Sequence, residues 1–246
     1  MSPAVVIPTY NERENIALLI GELLTFVPDL TIIIVDDNSP DGTGKVLDDL
    51  AARDARVFPK HRPAKLGLGT AHIAGMKVAL AHNHEPILTM DADFSHAPRY
   101  VPDILRAMQH YDLVIGSRYV PGGGTLNCTA TRKLLSRGAN LFARTLLGLD
   151  ATDTTAGFRA YTRAVLESIA LDEIVSNGYS FLIEMLYQCQ SQGWRVGQVP
   201  ILFKDRLRGK SKISRNEIYK ALGTVMRLRM TKGRLASHPL RSHAQL

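Results

Sequence analysis

An α/β fold built on a single, mainly parallel sheet is predicted for this chain of 246 residues by three observations. Short β-branched runs alternate with helical segments through the first half. Their spacing leaves one crossover helix between successive strands, the pattern of a doubly wound sheet. The polar clusters follow the strands, and in such sheets ligands bind beyond the carboxyl ends of the strands.

The elements follow in order. AVVI (4–7), TIIIV (31–35), ARVF (55–58), PILTM (86–90) and DLVIG (112–116) read as buried strands. Between them ENIALLIGELL (14–24), GTGKVLDDLAA (42–52), GTAHIAGMKVALA (69–81) and RYVPDILRAM (99–108) carry apolar residues three and four apart, the helical spacing. The second half is less regular. RKLLSRGANLFARTLLG (132–148) and GYSFLIEMLYQCQSQG (178–193) are helices, the latter closed by Gly193, and strands WRVGQV (194–199) and ILF (201–203) bracket Pro200. No repeat or low-complexity linker interrupts the chain. A single domain is expected over 1–215, divided into halves 1–118 and 119–215, followed by a basic tail, 216–246.

With 45% hydrophobic and 22% charged residues, a disordered, collagen-like or disulfide-dense chain is excluded. Cys128 and Cys189 form neither a metal quartet nor a secreted framework, which implies a reducing, cytoplasmic setting. No run approaches the ~20 apolar residues that span a bilayer, and Glu12, Arg13 and Glu14 stand where a signal peptide would be apolar. The net charge of +7 is unevenly spread. Residues 1–120 hold 11 Lys and Arg against 15 Asp and Glu, and residues 121–246 hold 19 against 8. The second half therefore suits an anionic partner: nucleic acid, a membrane surface or a phosphorylated substrate.

Asp91 and Asp93 follow the fourth strand with Ala92 between them, so alternation along an extended segment can aim both carboxylates at one cation. Hard oxygen ligands there suit Mg²⁺ or Mn²⁺ on a diphosphate; the plainer alternative is a helix cap and a solvated acid. Asp36, Asp37 and Asp41 crowd the end of the second strand. Such a cluster needs donors, supplied by the ribose and base of a nucleoside or by an Asx turn with Asp41 as helix cap. In PTYNE, Tyr10 and Glu12 can face a nucleoside; alternatively, Pro8 ends a strand and Asn11 caps a helix with Glu14 at its third position.

IPTYNERENI, VDDNSPDGTG, KLGLGTAHIAG, MDADFSHAPRYV, VIGSRYVPGG, DTTAGFRAY and FKDRLRGKSK occur in the order and spacing of family 2 glycosyltransferases. More narrowly, from about Val5 to Ile213 the chain resembles the dolichol-phosphate (polyprenol-phosphate) mannose synthases. The resemblance implies a GT-A-type, Rossmann-like fold on the cytosolic membrane face. It places Pro8, Tyr10, Glu12, Val35 and Asp37 around guanosine, and Asp91, Ala92 and Asp93 at the metal and diphosphate. Ser95, which stands where some members have Gln, is placed with these residues in the nucleotide-sugar site. Arg118 and Arg206 would reach the phosphates, with Asp93, Arg118 and Arg206 as the catalytic set, and Arg118, Arg132, Ser136 and Arg206 would receive the lipid phosphate.

The implied reaction is inverting transfer of mannose from GDP-mannose to a polyprenyl or dolichyl monophosphate, supported by Mg²⁺ or Mn²⁺. A lipid monophosphate is already an anionic nucleophile, so no general base is required; cations must bring two anions together. The same reaction with GDP-glucose or UDP-glucose, a nucleotidyltransferase, and a nucleic-acid-binding protein are the alternatives. The last gives the acidic strand ends no role, and no nucleic-acid partner is expected. Lacking membrane spans, the chain should attach peripherally to anionic membrane or through a separate anchoring subunit. In 132–148, Lys133, Arg137 and Arg144 share a stripe opposite Leu134, Leu135, Leu141, Phe142 and Leu146, and residues 204–234 add eleven basic against two acidic residues. That apolar stripe either dips into a membrane or faces the core. His96 reads as a turn residue, GLG (67–69) as a tight turn and Trp194 as packing.

Overall fold

The computed structural model describes residues 1–204 and 215–235, with the side chains of Arg132, 215–219 and 231–235 outside the description. The first half alternates as expected: β1 (Ala4–Thr9), α1 (Ile16–Phe26), β2 (Thr31–Asp36), α2 (Thr43–Ala51), β3 (Val57–His61), α3 (Leu68–Ala81), β4 (Ile87–Thr89), a 3₁₀ turn (Pro98–Tyr100) running into α4 (Val101–Ala107), and β5 (Leu113–Ser117). The second half adds β6 (Gly124–Leu126), α5 (Ala130–Leu147), β7 (Arg159–Tyr161), α6 (Arg163–Ser168), a 3₁₀ turn (Leu171–Glu173), α7 (Tyr179–Ser191), β8 (Val196–Pro200), β9 (Leu202–Lys204) and α8 (Arg215–Leu235).

The main sheet has the order β3-β2-β1-β4-β7-β5-β8. Its strands are parallel except β7, which runs antiparallel to both β4 and β5. β6 and β9 form a separate parallel pair. Apolar layers cover both faces of the sheet, so β1 and β2 have almost no polar side. Alternation decides which layer each residue joins: Val6, Ile33 and Val35 face α3 and α7, whereas Val5, Ile7, Ile32 and Ile34 face α1 and α4. α3 lies so close to β1 that a Cβ on Gly75 would sit 2.2 Å from Val6 Cγ1.

Four elements depart from the sequence reading, which assigns none of β6, β7, α6 and α8. β7 is only three residues long and includes the fully buried Arg159, so no apolar run announces it. The segment expected as a basic tail from 216 begins as α8, which packs on α7 and α5 and buries Thr224, Val225 and Leu228. Basic composition concealed that sparse inner face. Residues 236–246 lie outside the described residues.

His72 in α3 is buried and stacked on Phe181 at 5.7 Å, with no hydrogen-bond partner for either ring nitrogen among the described residues. Burial pushes its pKa down to about 3, with Arg159 and His96 adding to the effect. Between that value and the unfolded value near 6.5, the unfolded chain binds the extra proton, so stability falls as pH drops through this window. His72→Met is expected to flatten the slope between roughly pH 6.5 and 4, recovering on the order of 3 kcal/mol at the acid end. Urea unfolding across pH checks it; an unchanged slope would contradict the neutral, buried imidazole.

Candidate functional site

The order of strands turns at β1, with β2 and β3 on one side and β4 on the other. A crevice therefore opens at the carboxyl ends of β1, β2 and β4, where the polar clusters fall. The nucleoside candidates divide by side-chain direction. Pro8, Tyr10 and Glu12 are partly exposed at the end of β1, and Glu12 Oε2 accepts a hydrogen bond from Asn15 Nδ2 at 2.8 Å. Val35 differs from expectation: its side chain is wholly buried against α3, because alternation turns it into the core while Asp36 and Asp37 lie at the strand end. Val35 thus offers the crevice no side-chain surface.

The acidic cluster finds its donors within the protein. Asp36 accepts from the hydroxyls of Thr9 (2.8 Å) and Ser39 (2.5 Å) and from Ser39 N. Asp37 Oδ2 accepts from the backbone N–H groups of Leu66 (3.1 Å) and Gly67 (3.0 Å), and Arg62 Nη1 lies 3.1 Å from Oδ1. Asp41 accepts from Thr43 N and Oγ1 and from Arg13 N. Burial works against its charge, but these hydrogen bonds outweigh it and hold its pKa below the ordinary carboxylate value. The Asx turn is therefore present, although the α2 cap position belongs to Gly42, at φ +90°. Asn11 is no helix cap either: α1 starts at Ile16, and Asn11, at φ +61°, donates its N–H to Ser39 Oγ. Asp37 instead ties down the 62–67 loop, whose Lys65 Nζ stands 3.8 Å over the Tyr10 ring. GLG begins as the expected tight turn, with Gly67 at φ +103°.

Asp91 and Asp93 follow β4 on a turn in which Phe94 adopts φ +60°. Ala92 is buried in the apolar layer beneath, as alternation requires if the flanking carboxylates are to point the other way. Asp93 Oδ1 accepts from Ser95 N at 3.0 Å. Ser95 itself is buried, and its carbonyl accepts from Lys204 N, so its side chain is not part of the open crevice. His96 does more than turn the chain. It is buried between Phe158 (5.2 Å) and Phe203 (5.6 Å), and its Nδ1 accepts the Asp91 N–H at 3.1 Å. Burial lowers its pKa despite the opposing fields of Asp91 and Asp93, so a neutral ring fixes the start of the acidic turn. Among the described residues no group of three or more His, Cys, Asp or Glu side chains converges. Two carboxylates alone fit a hard divalent ion whose remaining ligands are substrate phosphate oxygens and water.

Across the crevice, Arg118 follows β5 and is held by Asp153, a residue the sequence reading did not single out. Arg118 Nε and Nη2 donate to the Asp153 carboxylate at 2.7 and 2.6 Å, and Nη2 also reaches Thr155 Oγ1 at 2.9 Å. Burial opposes both charges, but their mutual attraction wins: the Arg118 pKa is raised and that of Asp153 lowered. Nη1 has no partner among the described residues. It lies on a guanidinium flanked by the rings of Tyr119 (5.2 Å) and Phe203 (5.4 Å). The loop that carries Asp153 is itself braced. Arg159 donates to the carbonyls of Thr154, Ala156 and Leu182, and Asn140 of α5 accepts from Thr154 N and Oγ1. Ser136 joins this side of the crevice, accepting from the Tyr119 hydroxyl at 2.8 Å. Arg132 lies one turn earlier on α5, with its side chain outside the description, and Arg206 lies outside the described residues.

The sequence model of the family described as "Glycosyl transferase family 2" matches residues 4–170, a stretch that contains Tyr10, Glu12, Asp37, Asp91, Asp93, Arg118 and Asp153. The chain belongs to that family. This glycosyltransferase is 44% identical over 227 residues to an undecaprenyl-phosphate mannosyltransferase of Micrococcus luteus, covering 92% of this chain and 93% of that protein. It is 46% identical over 223 residues to a polyprenol monophosphomannose synthase of Mycolicibacterium smegmatis, covering 90% and 84%. Among solved structures, glucosyl-3-phosphoglycerate synthase of Mycobacterium tuberculosis with UDP superposes with a TM-score of 0.65 at 18% identity, covering 93% of this chain and 80% of that one. A second structure of that synthase, with Mn²⁺ and UDP-glucose, gives 0.61 at 19% identity, covering 100% and 82%. These likenesses establish the GT-A fold of the glycosyltransferase.

Proposed function

We propose that this glycosyltransferase moves mannose from GDP-mannose to a polyprenyl monophosphate, forming a β-linked polyprenyl-phosphate mannose. The observation that carries this reading is the length of the likeness: identities of 44% and 46% to two proteins named for polyprenyl-phosphate mannose transfer extend over about nine-tenths of the chain. The crevice chemistry is consistent with it. In the reaction a lipid phosphate oxygen attacks C1 of α-linked mannose, the bond from C1 to the GDP oxygen breaks, and its electron pair leaves with GDP. Single displacement inverts the configuration. No proton need move, so the protein supplies binding and charge rather than a general base.

Tyr10 and Glu12 border the nucleoside, with Lys65 over the Tyr10 ring and Asp37 shaping the loop that presents it. Asp91 and Asp93 would hold Mg²⁺ or Mn²⁺, which when bound neutralises charge growing on the leaving diphosphate. The Nη1 edge of Arg118 faces the anions, its other edge fixed by Asp153. Ser136, Arg132 and Arg206 complete the acceptor-phosphate set.

Contact with the cytosolic face of a membrane is part of the proposal. No helix among the described residues is long and apolar enough to cross a bilayer. Yet Leu134, Leu135 and Leu141 on α5 are 74%, 47% and 63% exposed, so this part of the stripe faces outward, while Leu146 at its end packs on the core. Leu222, Met226 and Met230 of α8 are exposed as well. Near anionic lipid each well-placed cation contributes on the order of 1 kcal/mol, so peripheral attachment should weaken with salt. If vesicle binding is absent at every salt concentration, a separate anchoring subunit is required.

Donor competition tests the reading. Offered GDP-mannose, GDP-glucose and UDP-glucose with polyprenyl phosphate and Mg²⁺ or Mn²⁺, the protein is expected to carry label into the organic phase from GDP-mannose. Label only from a glucose donor would transfer the proposal to a glucosyl lipid; none from any donor would overturn it.

A further inference from the structure

Between the 118–123 loop and α5 lies a cavity of about 500 Å³ that shares Arg118 with the proposed reaction and extends away from it along α5. Arg118, Arg137, Arg144, Tyr119, Pro121 and Leu141 are among its lining residues, and among the described residues no carboxylate lines it. Arg137 and Arg144 are seven residues, about two helical turns, apart on α5. Neither has an ion-pair partner among the described residues, unlike Arg118, which Asp153 neutralises. The Arg144 Nε is buried with no hydrogen-bond acceptor among the described residues, so an anion brought to the groove would meet an uncommitted donor there. Contrary to the opposed stripes expected from the sequence, Leu141 lines the cavity together with the exposed Arg137 and half-buried Arg144, so the cationic lining opens directly onto the apolar surface proposed to meet lipid.

We propose that Arg137 and Arg144 make this groove a second phosphate site, adjoining the Arg118, Arg132, Ser136 and Arg206 set and sharing Arg118 with it, that receives the phosphomonoester headgroup of a lipid before it reaches the crevice. The choice of a monoester follows from charge. With Asp153 committed to Arg118, two guanidinium groups without an ion-pair partner among the described residues match a headgroup carrying about −1.5 to −2 better than a phosphodiester carrying a single charge. That the lipid is polyprenyl phosphate rests on the proposed function; that the groove holds a lipid phosphomonoester does not.

The test uses the full chain and the double variant Arg137→Gln/Arg144→Gln, with Arg137→Lys/Arg144→Lys as the charge-retaining form. Vesicles of phosphatidylcholine carry either polyprenyl phosphate or phosphatidylglycerol at matched charge, and co-sedimentation is read without any sugar donor. The Gln variant is expected to lose about tenfold or more in binding to polyprenyl-phosphate vesicles, the worth of a lost charge-assisted hydrogen bond, and no more than about twofold on phosphatidylglycerol. The Lys variant is expected to recover part of the loss. In transfer assays KM for long polyprenyl phosphate should rise by about tenfold, with KM for GDP-mannose and kcat on a short soluble isoprenyl phosphate unchanged. Equal losses on both vesicle types would make the arginines general membrane cations and overturn the site, as would no loss on either. Inorganic phosphate that raises the Tm of wild type but not of the Gln variant, with no vesicle effect, would mark a free-phosphate site and overturn the lipid assignment. If wild type transfers no mannose, the proposed function fails while the vesicle result still decides the groove.

Discussion

Asp91→Asn and Asp93→Asn are each expected to lower mannosyl transfer by about a thousandfold or more while leaving the melting temperature nearly unchanged. Removing a Lewis acid from the leaving diphosphate forfeits several kcal/mol of transition-state stabilisation, and ~4 kcal/mol is already a factor of a thousand. The fold should survive because the substitutions spare the local scaffold. The Asp91 contact to His96 is made by its backbone N–H, and Asn at 93 retains an oxygen to accept from Ser95 N. Turnover is measured beside thermal melting, with EDTA as a parallel arm. Near-normal turnover in either variant, or full activity in excess EDTA, would contradict a metal role for this pair.

Asp153→Ala is expected to produce the largest loss of stability among the site residues. It strips the counter-charge from Arg118, whose side chain is only 13% exposed, and breaking one side of a buried ion pair costs about 3–5 kcal/mol. For a chain of this size each kcal/mol moves Tm by roughly 2–4 °C, so melting should fall by about 10 °C. Asp153→Asn should cost less, since it keeps an acceptor for the Arg118 N–H groups. Arg118→Met added to Asp153→Asn should restore part of the loss by removing the stranded charge. Because the Asp153 pKa is lowered in the folded protein, its contribution is present above the unfolded carboxylate value and is lost as pH falls through the folded one. Urea unfolding of the single and double variants reads these terms; a loss under about 1 kcal/mol for Asp153→Ala would show the pair to be solvated.

The sheet was legible where physics acts locally. β1, β2 and β5 are contiguous buried strands, and the rule that sites lie past strand ends singled out Asp91 and Asp93 as candidates without knowledge of any contact. β7 was not legible, because a three-residue strand containing Arg159 is held by neighbours on both sides rather than by its own pattern. Asp153 escaped notice for a related reason: its partner Arg118 is 35 residues earlier, and nothing in the intervening sequence says that either will be buried. Val35 shows the limit of position without direction, since a residue beside the acidic cluster can still point its side chain into the core. α5 carries two apolar faces. Periodicity revealed Leu134, Leu135, Leu141 and Phe142, but packing buries Asn140, Ala143 and Leu147 and leaves the more apolar face outside. α8 reverses the problem: its inner face is too sparse to stand out among basic residues, though it docks on α7.

The configuration at the mannose C1 of the product tests the central claim most directly. Wild-type protein supplied with GDP-mannose, polyprenyl phosphate and a divalent metal should yield a mannosyl phospholipid whose anomeric centre is β by NMR, the outcome of one displacement by the lipid phosphate. An α-linked product would contradict single displacement at this crevice, and mannose released to water without a lipid product would contradict the phosphate acceptor.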